Sequence, residues 1–127
     1  MGFSPVPKPA PRWIEKAQRR AEEARQMREV YAQVNARDGH CCRICRRKVG
    51  GVGMLEAGHH HHLQYRSKGG THTSANVILL CRGHHQAVHD AAIRLSGDAD
   101  LRSAETGTLC GVRLEVWDDG WRVTRML

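Results

Sequence analysis

The sequence lacks a long apolar run. No stretch approaches the roughly 20 consecutive apolar residues of a membrane-spanning helix, and none resembles the apolar segment of a signal peptide. We therefore expect no membrane contact and a cytoplasmic location. A chain of 127 residues is expected to form one domain, or one domain with extensions, around a modest core. A structural metal would add folding free energy to so small a core.

Acidic residues are scarce in the middle of the chain. Glu56 is the only acid between Arg43 and Arg82. The same span holds seven basic residues, namely Arg43, Arg46, Arg47, Lys48, Arg66, Lys68 and Arg82. The whole chain carries a net charge of +7 with its histidines neutral. So basic a surface favours a polyanionic partner, nucleic acid first, although a basic protein without such a partner is the alternative.

The cysteines do not suit a disulfide framework, because their number is odd, at five. Two pairs instead have the spacing of a zinc knuckle: Cys42 with Cys45, and Cys81 with His84. These four residues are the predicted ligands of a tetrahedral structural zinc. Cys41 is a rival to Cys42, but only Cys42 has two residues between itself and Cys45.

A redox-active cysteine pair is the alternative for Cys42 and Cys45. The second pair downstream argues against it, because a redox pair needs no further ligands. Cys110 lies far from both pairs along the chain and is predicted to be an ordinary, partly buried thiol.

Histidines are concentrated between positions 59 and 89. Eight of the nine in the chain lie there: His59, His60, His61, His62, His72, His84, His85 and His89. His85 and His89 are four residues apart, so on a helix they project from one face. The run of four lies inside the chain and within a longer pattern, so it is not interpreted as a purification tag.

Several of these motifs, taken in order, resemble the HNH endonuclease family in its variant with an added Cys-type zinc site. Arg37-Asp38-Gly39 is similar to the family's lead-in, and the resemblance extends from about residue 37 to residue 90. The matching motifs are His61-His62-Leu63, Arg66-Ser67-Lys68-Gly69-Gly70, Asn76, Val77-Ile78-Leu79-Leu80-Cys81, His85 and His89. So many positions in the right order are more specific than any single motif.

The resemblance implies an α+β fold around a small ββα-metal unit, and hydrolysis of DNA phosphodiester bonds to 5′-phosphate and 3′-hydroxyl ends. His62 would be the general base, and Asn76 would brace the adjoining loop. One divalent metal (Mg²⁺, Mn²⁺, Ni²⁺ or Zn²⁺) would be held by His61, His85 and His89. Phosphate contacts would come from Arg66, Lys68 and Arg82. Whether the enzyme nicks DNA or cuts both strands is left open.

The resemblance is to bacterial or bacteriophage members, so the expected compartment is the cytoplasm of a bacterial cell. Some such nucleases serve phage genome packaging, with packaging proteins as partners, and others serve host restriction; the sequence does not choose between these. A non-catalytic, zinc-stabilised DNA-binding module is the rival interpretation. A metal-storage protein would explain the histidines, but neither the Arg-Ser-Lys-Gly-Gly loop nor Asn76.

Two departures from the family pattern affect the histidine run. Tyr65 occupies a position where the family often has proline. His59 and His60 lengthen the histidine pair, so a shifted register is conceivable. Alternation along a strand would place His59 on the face of His61, and His60 on the face of His62. The Arg-Ser-Lys-Gly-Gly anchor favours His61-His62 as the functional pair, which leaves His59 and His60 as bystanders or substrate contacts.

The rest of the chain divides into four segments. All four prolines lie in residues 1–11, predicted to be a disordered arm. Apolar residues at three- and four-residue spacing predict a helix over 12–36. Its amphipathic pattern favours packing on the domain; contact with DNA through Arg19, Arg20 and Arg28 is the alternative. Residues 37–92 would be the nuclease core, and residues 93–127 a β extension.

Strands are predicted over 54–63 and 77–80, with a helix over about 82–92. In the extension, Asp119-Gly120 predicts a β-hairpin with a two-residue loop. That loop pairs Val116 with Val123 and Val112 with Leu127, whereas a three-residue loop would set Glu115 against Val123. The extension is predicted to cover core surface and to carry no chemistry.

Overall fold

A computed structural model of the chain describes residues 2, 4–50, 56–118 and 120–127. Within these residues, two α-helices, two short 3₁₀ helices and five strands form an α+β fold, as predicted. No helix in this described part is long and apolar enough to cross a bilayer. The elements in chain order are α1 Arg12–Arg37, β1 His59–His62, β2 Val77–Leu80, α2 Arg82–His89, β3 Ile93–Gly97, β4 Val112–Asp118 and β5 Trp121–Met126.

The centre of the fold is a ββα unit. β1 and β2 pair antiparallel, with His61 opposite Ile78 and His62 opposite Val77. Every residue of β2 is buried, as expected of a short apolar strand. The first strand is shorter than the predicted 54–63, and positions 54 and 55 lie outside the described residues. α2 ends at His89, short of the predicted residue 92.

Only the last third of α1 packs on the domain. Val34 is buried and Tyr31 is half-buried, both against the core around β2. Nearer its start the helix is exposed, and Trp13 is 71% exposed. The predicted amphipathic packing is therefore wrong for most of the helix and correct near its end. Alanines supplied much of the predicted apolar face, and they bury too little surface to hold a helix against a core.

The C-terminal segment forms a separate three-stranded antiparallel sheet in the order β3-β4-β5. The predicted register is confirmed, because Val116 pairs with Val123. Val112 and Leu127 also exchange two backbone hydrogen bonds of 3.0 and 2.7 Å. Gly120 in the turn has φ +81°, a conformation that favours glycine. The alternative with Glu115 opposite Val123 is thus excluded.

A buried carboxylate joins the parts of the domain. Asp38, at the end of α1, is 1% exposed. Its oxygens accept hydrogen bonds from Arg37 at 2.8 Å and from Arg43 at 3.0 Å. One oxygen also accepts the backbone N–H of Leu79, at 3.0 Å. The Arg37-Asp38-Gly39 motif therefore has a structural role, because Asp38 links the end of α1 to β2 and to Arg43 in the segment that follows α1.

Asp38→Ala is expected to destabilise the fold by about 3–5 kcal/mol, because it leaves buried arginines without their shared counter-charge. Urea unfolding of the variant and the wild type measures this difference. Glu22→Gln is the matched control, since Glu22 is an exposed partner of Arg25 and its loss should leave the midpoint unchanged. Equal midpoints for Asp38→Ala and the wild type would refute a structural role.

Candidate functional site

Four predicted metal ligands converge at one point. The donor atoms of Cys42, Cys45, Cys81 and His84 all lie within 4.8 Å of one another. The Sγ atoms of Cys45 and Cys81 are 3.9 Å apart, and His84 Nδ1 lies 3.2 Å from Cys81 Sγ and 3.5 Å from Cys42 Sγ. Donors around a tetrahedral zinc stand about 3.5–3.8 Å apart, given bond lengths of about 2.0–2.3 Å. The quartet therefore could hold a metal ion.

Local structure explains why these four residues meet. The backbone N–H of Arg43 donates to Leu79 O at 2.8 Å, which fixes the Cys42–Cys45 turn beside the end of β2. Cys81 follows that strand directly, and His84 lies in the first turn of α2. Burial raises the pKa of the Cys42 thiol to about 11, so a cation is needed to hold its thiolate there at neutral pH.

The other two cysteines lie outside this quartet. The Cys41 thiol donates to Gly39 O at 3.3 Å, which removes it as a rival to Cys42. Cys110 is partly buried, as predicted. Within the described ranges, the quartet is also the one group of His, Cys, Asp or Glu residues whose donor atoms are all this close.

A second cluster consists of histidine rings between β1 and α2. The His61 ring lies edge-on to that of His85, with centroids 5.8 Å apart, and the His85 and His89 centroids are 4.7 Å apart. The predicted catalytic-metal residues are therefore neighbours, although their donor atoms do not satisfy the 4.8 Å separation of the zinc quartet. His59 also stacks on His85, at 4.8 Å. The predicted alternation is confirmed: His59 and His61 both contact α2.

Burial favours the neutral form of two of these histidines, His61 and His85. His61 is 5% exposed, and burial together with the nearby histidines lowers its pKa to about 4. Burial, followed by His59 and His89, also lowers the pKa of His85. Both imidazoles therefore keep a lone pair at neutral pH, which is the state that binds a metal. The chemistry of this donor set fits a divalent ion, and the assignment to His61, His85 and His89 stays a prediction.

The opposite face of β1 has different partners. His60 stacks on Tyr31 of α1 with centroids 4.0 Å apart, and its Nε2 lies 2.7 Å from Asn35 Oδ1. His60 thus anchors α1, a role that the sequence did not indicate. His62, the predicted base, is hydrogen-bonded through Nε2 to His72 Nδ1 at 2.9 Å. Burial lowers the pKa of His62, as do the charges of His72 and Arg66.

His72 is the residue that the sequence analysis missed. It lies in the loop between the two strands, ten residues after His62, where no periodicity indicates which way a side chain points. Its Nε2 is buried and has no hydrogen-bond partner among the residues described. The only signal in the sequence is that His72 is a further histidine close along the chain to His62, and two histidines can share a hydrogen bond.

Asn76 makes the side-chain to backbone hydrogen bonds expected of a brace. Its Oδ1 accepts from Gln64 N at 2.9 Å, and its Nδ2 donates to Gln64 O at 3.0 Å and Thr71 O at 2.9 Å. The loop also requires its two glycines. Gly69 has φ +84°, and a Cβ on Gly70 would lie 1.9 Å from Gln64 O. The Arg-Ser-Lys-Gly-Gly motif therefore sets a compact loop beside His62.

The three predicted phosphate contacts are all exposed but lie in different surroundings. Arg66 is near enough to His62 and His72 for its charge to lower the pKa of both. Lys68 lines a cleft together with His61. Arg82 lines another cleft with His59, and its backbone N–H donates to Glu56 at 3.0 Å.

Comparison with known proteins finds a match over part of the chain. Residues 42–91 match the family model described as HNH endonuclease. This segment contains both ligand groups, the braced loop and α2, so the match supports a nuclease-type domain over residues 42–91. The match ends before β3 begins. No curated protein and no solved structure matches the chain.

Proposed function

We propose that this protein is a metal-dependent endonuclease that hydrolyses DNA phosphodiester bonds. The observation that carries the proposal is the buried, neutral His61 against the His85–His89 face of α2, within the segment that matches the HNH family. A bound divalent ion would neutralise charge on the phosphate and stabilise the leaving 3′ oxygen. His61, His85 and His89 would hold it, and the products would carry 5′-phosphate and 3′-hydroxyl ends.

His62 acts as the general base in this proposal. Its lowered pKa leaves it unprotonated at neutral pH, so it is able to take a proton from the attacking water. Asn76 keeps the adjoining loop in place and does not react. Arg66, Lys68 and Arg82 hold the phosphate backbone in line, which is a contribution of position and charge.

The Cys42, Cys45, Cys81 and His84 quartet is proposed to hold a structural zinc. Three thiolates and one imidazole form a closed set of four, with no position left for water or substrate. The domain core is small, so the free energy of zinc binding becomes part of its folding free energy. A bacterial cytoplasm, where thiols stay reduced, is the compartment that suits this set.

A non-catalytic DNA-binding module is the second candidate. It would need the zinc quartet and the basic surface, but it has no use for the buried imidazole of His61 beside two further histidines and a braced loop. Burial of the His61 imidazole, which lowers its pKa, costs free energy. A metal site gives that burial a function, and this favours the nuclease.

The chemistry of the ends tests the proposed reaction. Supercoiled plasmid is incubated with the protein and a divalent metal, and the nicked product is then treated with DNA ligase. Hydrolysis to 5′-phosphate and 3′-hydroxyl leaves nicks that the ligase seals. Nicks that stay open after treatment would contradict the proposed chemistry, and an intact plasmid would favour the binding module.

DNA binding should depend strongly on salt and little on sequence. Each phosphate that a lysine or arginine contacts releases a counterion, so four contacts would reduce affinity roughly 10²-fold between 50 and 200 mM salt. Fluorescence anisotropy on two unrelated duplexes at several salt concentrations measures both properties. Lys68→Gln should lower the salt slope by about one, whereas Lys16→Gln, on the exposed part of α1, should not. A flat salt response, or strong discrimination between the duplexes, would count against this mode of binding.

A further inference from the structure

The cleft beside His61 has a wall that lies outside the family segment. One side consists of His61, Tyr65 and Lys68, and the other includes Arg94, Trp117 and Arg122 of the C-terminal sheet. The family match ends at residue 91, so this second wall is an addition of this chain. The extension covers core surface, as predicted, since Leu95, Val112 and Leu114 lie in the core. It also lines this cleft.

Sheet register explains how the second wall is built. Arg94 pairs with Glu115, and Trp117 pairs with Arg122. Residues that pair directly project from the same face, as do residues two apart on one strand. These four side chains therefore share one face of the sheet, which presents an aromatic ring among cations.

The exposed groups of the cleft suit a nucleotide. Trp117 is 63% exposed and Tyr65 is 48% exposed, so two aromatic rings are open to a ligand. The Arg122 guanidinium lies 6.0 Å from the Trp117 ring centre and 3.2 Å from Glu115, which is also 3.2 Å from Arg113. Glu115 is thus neutralised by two arginines. In the described part of the chain, Lys68 and Arg94 have no acidic partner.

The volume of the cleft limits the size of the ligand that can bind there. Its volume is about 520 Å³, within the roughly 300–1,000 Å³ range of small-ligand pockets. One or two nucleotides fit such a space, and a whole duplex does not. Aromatic rings beside cations are the usual means of binding single strands, because each base offers a ring face and each nucleotide a phosphate.

We propose that this cleft binds an unpaired nucleotide next to the phosphate that is cut, with its base against Trp117 and its phosphates at Lys68 and Arg94. The preferred substrate is then DNA with locally unpaired strands, such as a bubble or a flap, over a fully paired duplex. This inference rests on the proposed nuclease function for its cleavage step, but the binding step is testable alone.

Binding is measured first, without divalent metal, on a paired duplex and on the same duplex with a central bubble. The wild type should bind the bubble more tightly, and Trp117→Ala should weaken bubble binding roughly 5- to 100-fold, the usual value of one stacked base. Duplex binding should change little. Val123→Ala is the matched control, because Val123 is an exposed apolar residue of the same hairpin that pairs with Val116, on the other face.

Cleavage of the two substrates separates failure of this inference from failure of the nuclease proposal. If neither substrate is cut, yet Trp117→Ala selectively weakens bubble binding, the cleft assignment stands and the nuclease proposal fails. If the wild type binds the duplex and the bubble equally well, the cleft assignment is wrong, whatever the cleavage rates. Thermal melting of both variants shows that the fold is intact.

The hydrogen bond between His62 and His72 carries a second, independent inference, which also rests on the proposed function. In a neutral imidazole one ring nitrogen carries a hydrogen and the other carries a lone pair available to a proton. The hydrogen bond made by one nitrogen determines the state of the other. If His62 Nε2–H donates to His72 Nδ1, the lone pair of His62 lies on Nδ1, ready for a proton. The reverse arrangement would leave Nδ1 protonated and unable to act as a base. We infer that His72 is a positioning residue that sets the tautomer and ring orientation of His62.

Two substitutions of His72 separate this role from simple packing. Asparagine places an amide oxygen near the position of Nδ1 and still accepts a hydrogen bond, whereas leucine fills similar space without an acceptor. His72→Leu should lower kcat roughly 10- to 100-fold, the scale of losing a partner that orients a functional histidine, with KM and DNA affinity unchanged. His72→Asn should recover most of that loss.

Equal rates for His72→Leu and the wild type would overturn the positioning role, as would a His72→Asn variant no faster than His72→Leu. A wild type without cleavage activity would instead refute the nuclease proposal. Thermal melting of both variants identifies any loss that comes from unfolding.

Discussion

Cys45→Ser is expected to remove tightly bound zinc and to unfold or aggregate the protein. The wild type as purified should hold about one zinc per chain in the Cys42, Cys45, Cys81 and His84 quartet. Binding of structural zinc contributes about 10–16 kcal/mol in small zinc peptides, which is comparable to or larger than the typical stability of a domain, about 5–15 kcal/mol. Metal analysis by mass spectrometry and far-UV circular dichroism measure the two effects.

Cys110→Ser is the matched control for that substitution. Cys110 is also a free thiol, but it lies outside the quartet, so its variant should keep both the zinc and the fold. A folded wild type without zinc, or a folded Cys45→Ser variant with a full complement of zinc, would contradict the structural metal site.

His61→Ala and His62→Ala are expected to fail in different ways, although the residues are neighbours. His61 faces His85 on α2. Its loss should leave two protein ligands and so weaken binding of the proposed catalytic metal. Added metal should restore part of the activity. His62 lies on the other face and contacts His72. Its loss should leave metal and DNA affinity nearly intact and reduce cleavage roughly 10²- to 10⁴-fold, the value of a positioned general base.

Calorimetric metal titration and plasmid nicking rates on both variants distinguish the roles. Gln86→Ala is the control, because Gln86 is exposed on α2 between His85 and His89 and is not assigned to the metal. If His62→Ala loses the metal and His61→Ala keeps it, the roles of metal ligand and base are assigned one residue out of place in the histidine run. If both variants cut like the wild type, neither residue has the role assigned to it.

Local spacing explains why the zinc quartet and β2 could be predicted. Each ligand pair spans one turn of chain, and β2 is a continuous apolar run with turn residues before it. Its burial brings the two pairs together, through the hydrogen bond from Arg43 N to Leu79 O. The register of the C-terminal hairpin was equally accessible, because a two-residue turn determines every pair that follows it.

Long-range contacts explain what could not be predicted. The extent to which α1 packs depends on where the core ends, which no periodicity encodes. His72 reaches His62 across a loop, and Trp117 reaches the cleft of His61 from a different sheet. In both cases the two segments are brought together only by the whole fold. The spacing of residues along a strand or helix therefore does not reveal that His72 and Trp117 lie beside the predicted site residues.

Nicking of supercoiled plasmid tests the central proposal most directly. The wild type is incubated with plasmid and Mg²⁺, Mn²⁺, Ni²⁺ or Zn²⁺ in turn, with an EDTA reaction beside each and the His62→Ala variant in parallel. We expect relaxed or linear plasmid with at least one metal, none with EDTA, and a strongly reduced rate with His62→Ala. Intact plasmid with every metal, or equal cleavage in EDTA, would contradict a metal-dependent nuclease.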